Sequence, residues 1–336
     1  MLALVTVTTL AVVPGAAFAK RPPANPTSTA LALVFNPNPV ATTRDNTLLD
    51  NKDADSDQLN DERVQVTLTN LDGSGYLRGD YAIVVSETGD PAFETDGTYF
   101  YTRHDDRFEQ VMAYYWVTQS QLYLRSLGFG TGEFPAVNAD QQRIRLNQLG
   151  ADNSFATDHP RDELRFGKGG VDDAEDADVI LHELGHQIHF SQSETFFASD
   201  EAGAISEGFG DYWAFTASKA IAGPQWDEAC IAKWDATSYD ATPANGICLR
   251  RLDADLTYRD DLVGEVHADG RIWSHALYDL HHAIGQADAD RAILNAQFDW
   301  TGTTMPELAE RIVAQAEALS GEGDLARAAF EARGIL

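Results

Sequence analysis

The pentapeptide His182-Glu183-Leu184-Gly185-His186 constrains this chain more than any other feature. On an α-helix, positions i and i+4 lie on one face. Both imidazoles then reach a single metal ion, and neutral imidazole is a good zinc ligand. Glu183 stands next to the first ligand, placed to take a proton from water at the metal. The motif therefore predicts a helix, a zinc ion and a hydrolytic reaction together. A surface helix with two solvated histidines would carry the same letters by accident. The preceding Ala177-Asp178-Val179-Ile180-Leu181 argues against that. A core helix buries such a run, and a solvated one has no use for it.

Catalytic zinc usually takes three protein ligands and leaves one position open. His189 is a candidate, but three residues past His186 it competes sterically near the same face. The metzincin pattern needs glycine and histidine three and six residues after the second histidine. His189 and Gln192 stand there instead, which excludes that class. Glu207 is the better third ligand. It lies in Ile205-Ser206-Glu207-Gly208-Phe209-Gly210-Asp211-Tyr212-Trp213-Ala214-Phe215, where Glu207 and Asp211 share a helix face. Asp211 can accept the second ring N–H of a ligating histidine and fix its tautomer. The apolar and aromatic flanks predict a buried helix, in which carboxylates need a cation or hydrogen bonds.

At these residues the chain resembles the gluzincin zinc metallopeptidases, in their thermolysin-like and fungalysin-like group. Their pattern is H-E-x-x-H followed about twenty residues on by E-x-x-x-D, and Glu207-Gly-Phe-Gly-Asp211 is nearer the fungalysin form. A second likeness is Val266-His267-Ala268-Asp269-Gly270-Arg271-Ile272-Trp273, similar to the fungalysin V-H-x-x-G-x-x-W. It implies that His267 stabilises the oxyanion of the tetrahedral intermediate; His275, two helical turns on, is the runner-up, while His281 and His282 read as surface or packing residues. Asn153-Ser154-Phe155-Ala156 resembles the edge-strand segment whose asparagine holds the substrate peptide, which implies that role for Asn153. The likeness spans about residues 95 to 336. It implies a two-lobed α+β thermolysin-like fold, with a mixed, β-rich amino-terminal lobe, a helical carboxy-terminal lobe and the H-E-x-x-H helix at the cleft floor. It also implies a secreted zinc metalloendopeptidase that hydrolyses internal bonds of proteins or peptides through a zinc-activated water, with Glu183 as general base. Two departures stand out. The tyrosine that assists the oxyanion in the thermolysin-like group is replaced by the neighbourhood Phe196-Phe197-Ala198, and the usual substrate-binding arginine falls to Arg250 or Arg251. No room is left for a long inhibitory propeptide.

Three rival readings follow. An aminopeptidase needs a G-x-M-x-N motif ahead of the zinc helix, which the chain lacks. A zinc hydrolase acting on something other than protein chains would use the same ligands. A catalytically weak or inactive secreted zinc-binding module of the same fold would have lost Glu183, Glu207 or Asp211, and all three are present.

The formal charge of −29, with only five lysines, repels nucleic-acid phosphates and anionic membranes. Residues 1–19 read as the apolar part of a secretory signal with a cleavage site at Ala17-Phe18-Ala19. The missing positive n-region points to a start site downstream of the true one. Secretion to the outside, the periplasm or the cell surface follows, without stable membrane insertion after cleavage. Export favours a disulfide between Cys230 and Cys248, the two cysteines of the chain, over two buried thiols.

Residues 20–60 are rich in Pro, Asn and Asp and are expected to form a polar, mobile linker. Within them Asp53-Ala-Asp55-Ser-Asp57-Gln-Leu-Asn-Asp61 resembles half a calcium loop, without the central glycine and closing glutamate. It reads as a solvated acidic loop, with Ca2+ as the minority alternative. The peptidase domain is then 61–336, with lobes at about 61–198 and 199–336. Residues 63–69 and 81–86 read as strands, 107–127 as a helix with apolar residues at helical spacing and aromatics expected in the core, and 142–148 and 164–167 as short strands. The acids at 172–176 are expected to favour the positive end of the metal helix. Helical spacing covers about 271–285, 290–299, 305–319 and 323–333.

Overall fold

The computed structural model describes residues 28–85, 88–239 and 248–336. The signal-like segment 1–19 lies outside them. The chain opens with β1 (Ser28–Val34), α1 (Pro39–Thr43), α2 (Asp57–Asp61), β2 (Val64–Leu71), β3 (Ala82–Val84) and β4 (Thr98–Tyr99). The long α3 (Arg107–Ser126) follows, then β5 (Gln142–Arg145), β6 (Phe155–Thr157) and β7 (Glu163–Arg165). The second half holds α4 (Ala177–Gln192), α5 (Asp200–Ala222), β8 (Cys230–Ile231), β9 (Arg250–Arg251), α6 (Val266–Ile284), α7 (Gln286–Gln297), α8 (Met305–Ser320) and α9 (Gly323–Glu331). Strands thus dominate before residue 166 and helices after it, an α+β arrangement.

The expectation of a mobile linker over 20–60 is corrected for residues 28–60. The segment Ser28–Val34 is the middle strand of a sheet ordered β2-β1-β4, antiparallel to β2 and parallel to β4. Its sequence STALALV alternates, burying Ala30, Ala32 and Val34. A strand that buries one face reads with period two, and the surrounding prolines and asparagines hid that signal. The half calcium loop is also engaged elsewhere. Asp53 lies 3.6 Å from the Arg103 guanidinium, Asp55 accepts the Thr102 hydroxyl, and Asp57 begins α2 under its Ser56 cap.

A second sheet, ordered β3-β5-β7-β6, leaves β6 on its edge, paired antiparallel with β7 alone. Glu163 ties it together: its carboxylate meets Arg143, Arg145 and Arg165 at 3.2, 2.9 and 2.7 Å. Helix α3 packs on α4, α5 and strands of both sheets. It buries residues all around its circumference, including Tyr114 and Trp116, so it is a core helix.

Helix α4 is also buried on all sides from Ala177 to His189. Asp176 starts it by accepting the Asp178 N–H at 3.0 Å. Of the acids at 172–176, only Asp176 serves as that cap; Glu175 is sealed inside against Arg103 at 2.6 Å. All of Asp172, Asp173, Glu175 and Asp176 are buried. They are structural partners, not solvated charges at a helix dipole.

Candidate active site

Two close helix crossings assemble the site. Where α4 meets α5, a Cβ on Gly185 would stand 2.9 Å from the Gly210 Cα, and one on Gly210 would stand 2.7 Å from the His182 ring. Where α5 meets α6, a Cβ on Gly208 would stand 2.3 Å from the Gly270 carbonyl oxygen. Only glycine permits these approaches. They bring the 207–211 turn of α5 under the histidines of α4, and the first turn of α6 beside Glu207.

The two imidazoles of α4 converge on one carboxylate. His182 Nε2 lies 3.3 Å from Glu207 Oε2, and His186 Nε2 lies 3.6 Å from Glu207 Oε1. Ligands at the vertices of a tetrahedral zinc site with bonds of about 2.0–2.1 Å sit about 3.4 Å apart. All three residues are more than nine-tenths buried, and Glu207 Oε2 accepts no hydrogen bond among the described residues. A cation between them satisfies that orphaned oxygen, so this N, N, O set fits zinc.

The far nitrogens are held as well. His182 Nδ1 lies 2.9 Å from Asp211 Oδ1, and Asp211 receives the Arg250 Nε at 2.7 Å. The Ser206 hydroxyl lies 2.9 Å from His186 Nδ1 and 3.0 Å from His189 Nδ1. A hydroxyl has one proton. If it donates to His189, it accepts from His186, which places the His186 proton on Nδ1 and frees Nε2 for metal. His189 itself turns away from the cleft, stacked between Phe196 and Phe209 at 3.6 and 4.2 Å.

Burial disfavours charge on both ligand imidazoles. His182 nevertheless rises to about 9, because Asp211 and Glu207 lie beside it. His186, set against a neutral hydroxyl, falls to about 4. Burial alone would raise Glu207, but the neighbouring His186 and His182 hold it well below the usual carboxylate range. Burial pushes Glu183 up to about 7, with His182 opposing the rise. Bound zinc would supersede these shifts, since ligation requires neutral imidazoles and an ionised carboxylate.

A cleft of about 490 Å³ opens over this cluster. Glu183, His267, Arg250 and the β6 segment Asn153–Ala156 line it. His267, second residue of α6, points Nε2 to Glu207 at 3.4 Å, while Glu265 holds Nδ1 at 2.7 Å. His275 is bound away from the cleft by the Ala254 carbonyl and Asp279, which removes it as an alternative. His281 is buried, and His282 is half exposed near Glu228. Asn153 is exposed at the rim of the cleft, at the start of the β6 edge.

The Cys230–Cys248 disulfide forms, with Cα atoms 5.2 Å apart. It clips β8 to β9, whose register pairs Ile231 with Arg250. Of the two arginines, Arg250 lines the cleft and faces Asp211, whereas Arg251 pairs with Asp227 and Asp253. Three features of the site were assigned no such role from the sequence. Phe197 holds φ at +70° and packs its ring 5.3 Å from His186. Tyr239 lines the cleft from the segment after β8. Ser206 bridges two histidines; its position one residue before Glu207 was its only signal.

A family model described as fungalysin metallopeptidase matches residues 64–320. No curated protein matches the chain in sequence. Among solved structures, the precursor of protealysin, a metalloproteinase from Serratia proteamaculans, is similar at a TM-score of 0.58. The identity is 17%, over 76% of this chain and 86% of that one. At that identity the likeness establishes a shared fold.

Proposed function

The chain belongs to the fungalysin metallopeptidase family, and from that premise we propose that it is a secreted zinc endopeptidase with His182, His186 and Glu207 as metal ligands. The observation that carries the reading is the meeting of both histidine Nε2 atoms on the one Glu207 carboxylate, at 3.3 and 3.6 Å. When bound, zinc polarises the scissile carbonyl and acidifies a water. The chain's own groups do the rest. Glu183, beside that cluster with its Oε2 free of hydrogen bonds among the described residues, takes the water proton and passes it to the leaving amine. His267, as an imidazolium with its Nδ1–H donated to Glu265, donates from Nε2 to the developing oxyanion. Asp211, held by Arg250, orients His182.

The free edge of β6 supports addition of an extended substrate as a further strand, with Asn153 at its rim. An open cleft receives the middle of a chain, which favours internal bonds over chain ends. Secretion rests on the signal-like segment and the disulfide; among the described residues no helix is long and apolar enough to cross a membrane. The zinc-binding module without turnover is the weaker reading, since Glu183 and His267 both stand at the cluster.

Metal analysis of purified protein tests the ligand set. One zinc per chain is expected, retained in Glu183→Gln and lost in Glu207→Gln. Full zinc occupancy in Glu207→Gln would show that the third ligand is misassigned.

A further inference from the structure

The cleft does not end at the metal cluster. A second hollow of about 440 Å³ continues from it, sharing Ala156, Phe190 and Phe197 with the cleft. Asp158, Glu194, Phe196 and Ala198 complete its lining. Strand β6 runs beside both, between Asn153 at the cleft rim and Asp158 just past its end. Extended chain between those two residues spans roughly 17 Å. A peptide added to the β6 edge therefore lies over the metal cluster and over the second hollow at once.

The other wall of the hollow, residues 193–198, is anchored from behind. The Ser193 and Thr195 hydroxyls both donate to the Trp300 carbonyl, and the Ala198 N–H donates to the Thr195 carbonyl at 2.9 Å. Phe196 is buried, its ring 3.6 Å from His189 and 5.0 Å from Trp300. Phe197 is left facing the hollow, 43% exposed with φ at +70°. A bulky residue in the left-handed region is strained, and such strain persists where the surroundings impose it, most often at functional sites. Glu194 and Asp158 are exposed at the same hollow. Among the described residues, neither carboxylate pairs with a lysine, arginine or histidine.

We propose that this hollow is a substrate subsite for a lysine or arginine side chain, with Phe190 and Phe197 receiving the methylene stem and Glu194 and Asp158 the charged head. The inference rests on the peptidase reading of the cleft. Basic side chains lay their stems along apolar surface and keep their heads in water, and an aromatic face attracts a cation. An aliphatic or aromatic side chain would cover the two rings but take water from two carboxylates without replacing it. An acidic one would be repelled by both, in a chain whose formal charge of −29 already favours cationic peptides.

Paired peptide substrates test it. Peptides cut by the zinc-loaded protein from a proteome-derived library should be enriched in lysine or arginine at one position relative to the cut. Synthetic peptides that differ only there, arginine against leucine, then give a ratio of kcat/KM. The wild type should favour arginine about fivefold to tenfold at low ionic strength, and the ratio should shrink towards one in about 1 M sodium chloride. The double variant Asp158→Asn/Glu194→Gln should bring it to about one without added salt, and Glu194→Arg should turn the preference towards a glutamate peptide. Both side chains are exposed, and zinc content checks that the variants keep their metal site. Cleavage with no enriched basic position, or a ratio undiminished in the double variant, overturns the subsite and leaves the peptidase reading standing. No cleavage of any peptide overturns the peptidase reading, and the subsite with it.

Discussion

Glu265 holds His267 Nδ1 at 2.7 Å and leaves Nε2 directed at the Glu207 side of the cleft. A ring so fixed donates from Nε2 in its imidazolium form, since Nδ1–H is already given to the Glu265 carboxylate. Phe196, Phe197 and Ala198, in the neighbourhood where the thermolysin-like group is expected to carry its tyrosine, have no hydroxyl. On the proposed mechanism, His267 would carry more of the oxyanion's stabilisation than it would beside a second donor. We predict that His267→Ala lowers kcat about 10²- to 10³-fold with zinc content and KM nearly unchanged. Steady-state kinetics beside metal analysis decides this, and a loss confined to KM would make His267 a substrate-binding group instead. That His182 and His186 share one helix face, and Glu207 and Asp211 another, was legible in the sequence from helix periodicity. Ser206 and the choice of Arg250 were not, because each depends on partners far away in the chain.

The site is made where elements cross, and the crossings depend on missing side chains. Gly210→Ala adds a Cβ that would stand 2.7 Å from the His182 ring. Alanine favours a helix interior by about 1 kcal/mol, while overpacking a dense crossing costs about 1–3 kcal/mol and displaces the ligand. The second effect wins, so zinc affinity in a chelator competition should fall; unchanged affinity would mean the crossing relaxes freely. In the second sheet, three arginines surround Glu163. Burial opposes its ionisation, but Arg165, Arg145 and Arg143 hold it down at about 2. A depressed carboxylate contributes stability above its unfolded pKa of about 4.5 and loses it as pH falls through the folded value. Glu163→Gln should melt below wild type at pH 6, and the two midpoints should converge as pH falls from about 4.5 towards 2. A constant gap across that range would assign the loss to packing rather than charge. The core helices were readable from period and caps. Strands β8 and β9 were not: two residues are too short for alternation to register, and pairing alone makes them strands, while β6 was indicated only by the likeness of Asn153–Ala156 to an edge strand.

Over the whole molecule, the sequence signal was strong where local pattern and burial agree. It failed where the chain spends polar residues inside. The run Asp172–Asp178 reads as a charged helix entry, yet it is the buried hub joining the metal helix to Arg103, Asn38 and the segment after β8. The same mismatch hid the role of residues 28–60, whose small apolar residues complete the first sheet. These buried acids sit close to a cleft that is itself acidic, in a chain of net charge −29. The zinc cluster and the cleft wall are thus parts of one polar interior built by both halves of the chain. The most direct test of its purpose is cleavage-site mapping by mass spectrometry. A proteome-derived peptide library is incubated with zinc-loaded protein and, in parallel, with Glu183→Gln. New termini within peptides are predicted for the wild type, falling about 10²- to 10⁴-fold in the variant. No internal cuts by the zinc-loaded wild type, or undiminished cutting by Glu183→Gln, would contradict the account.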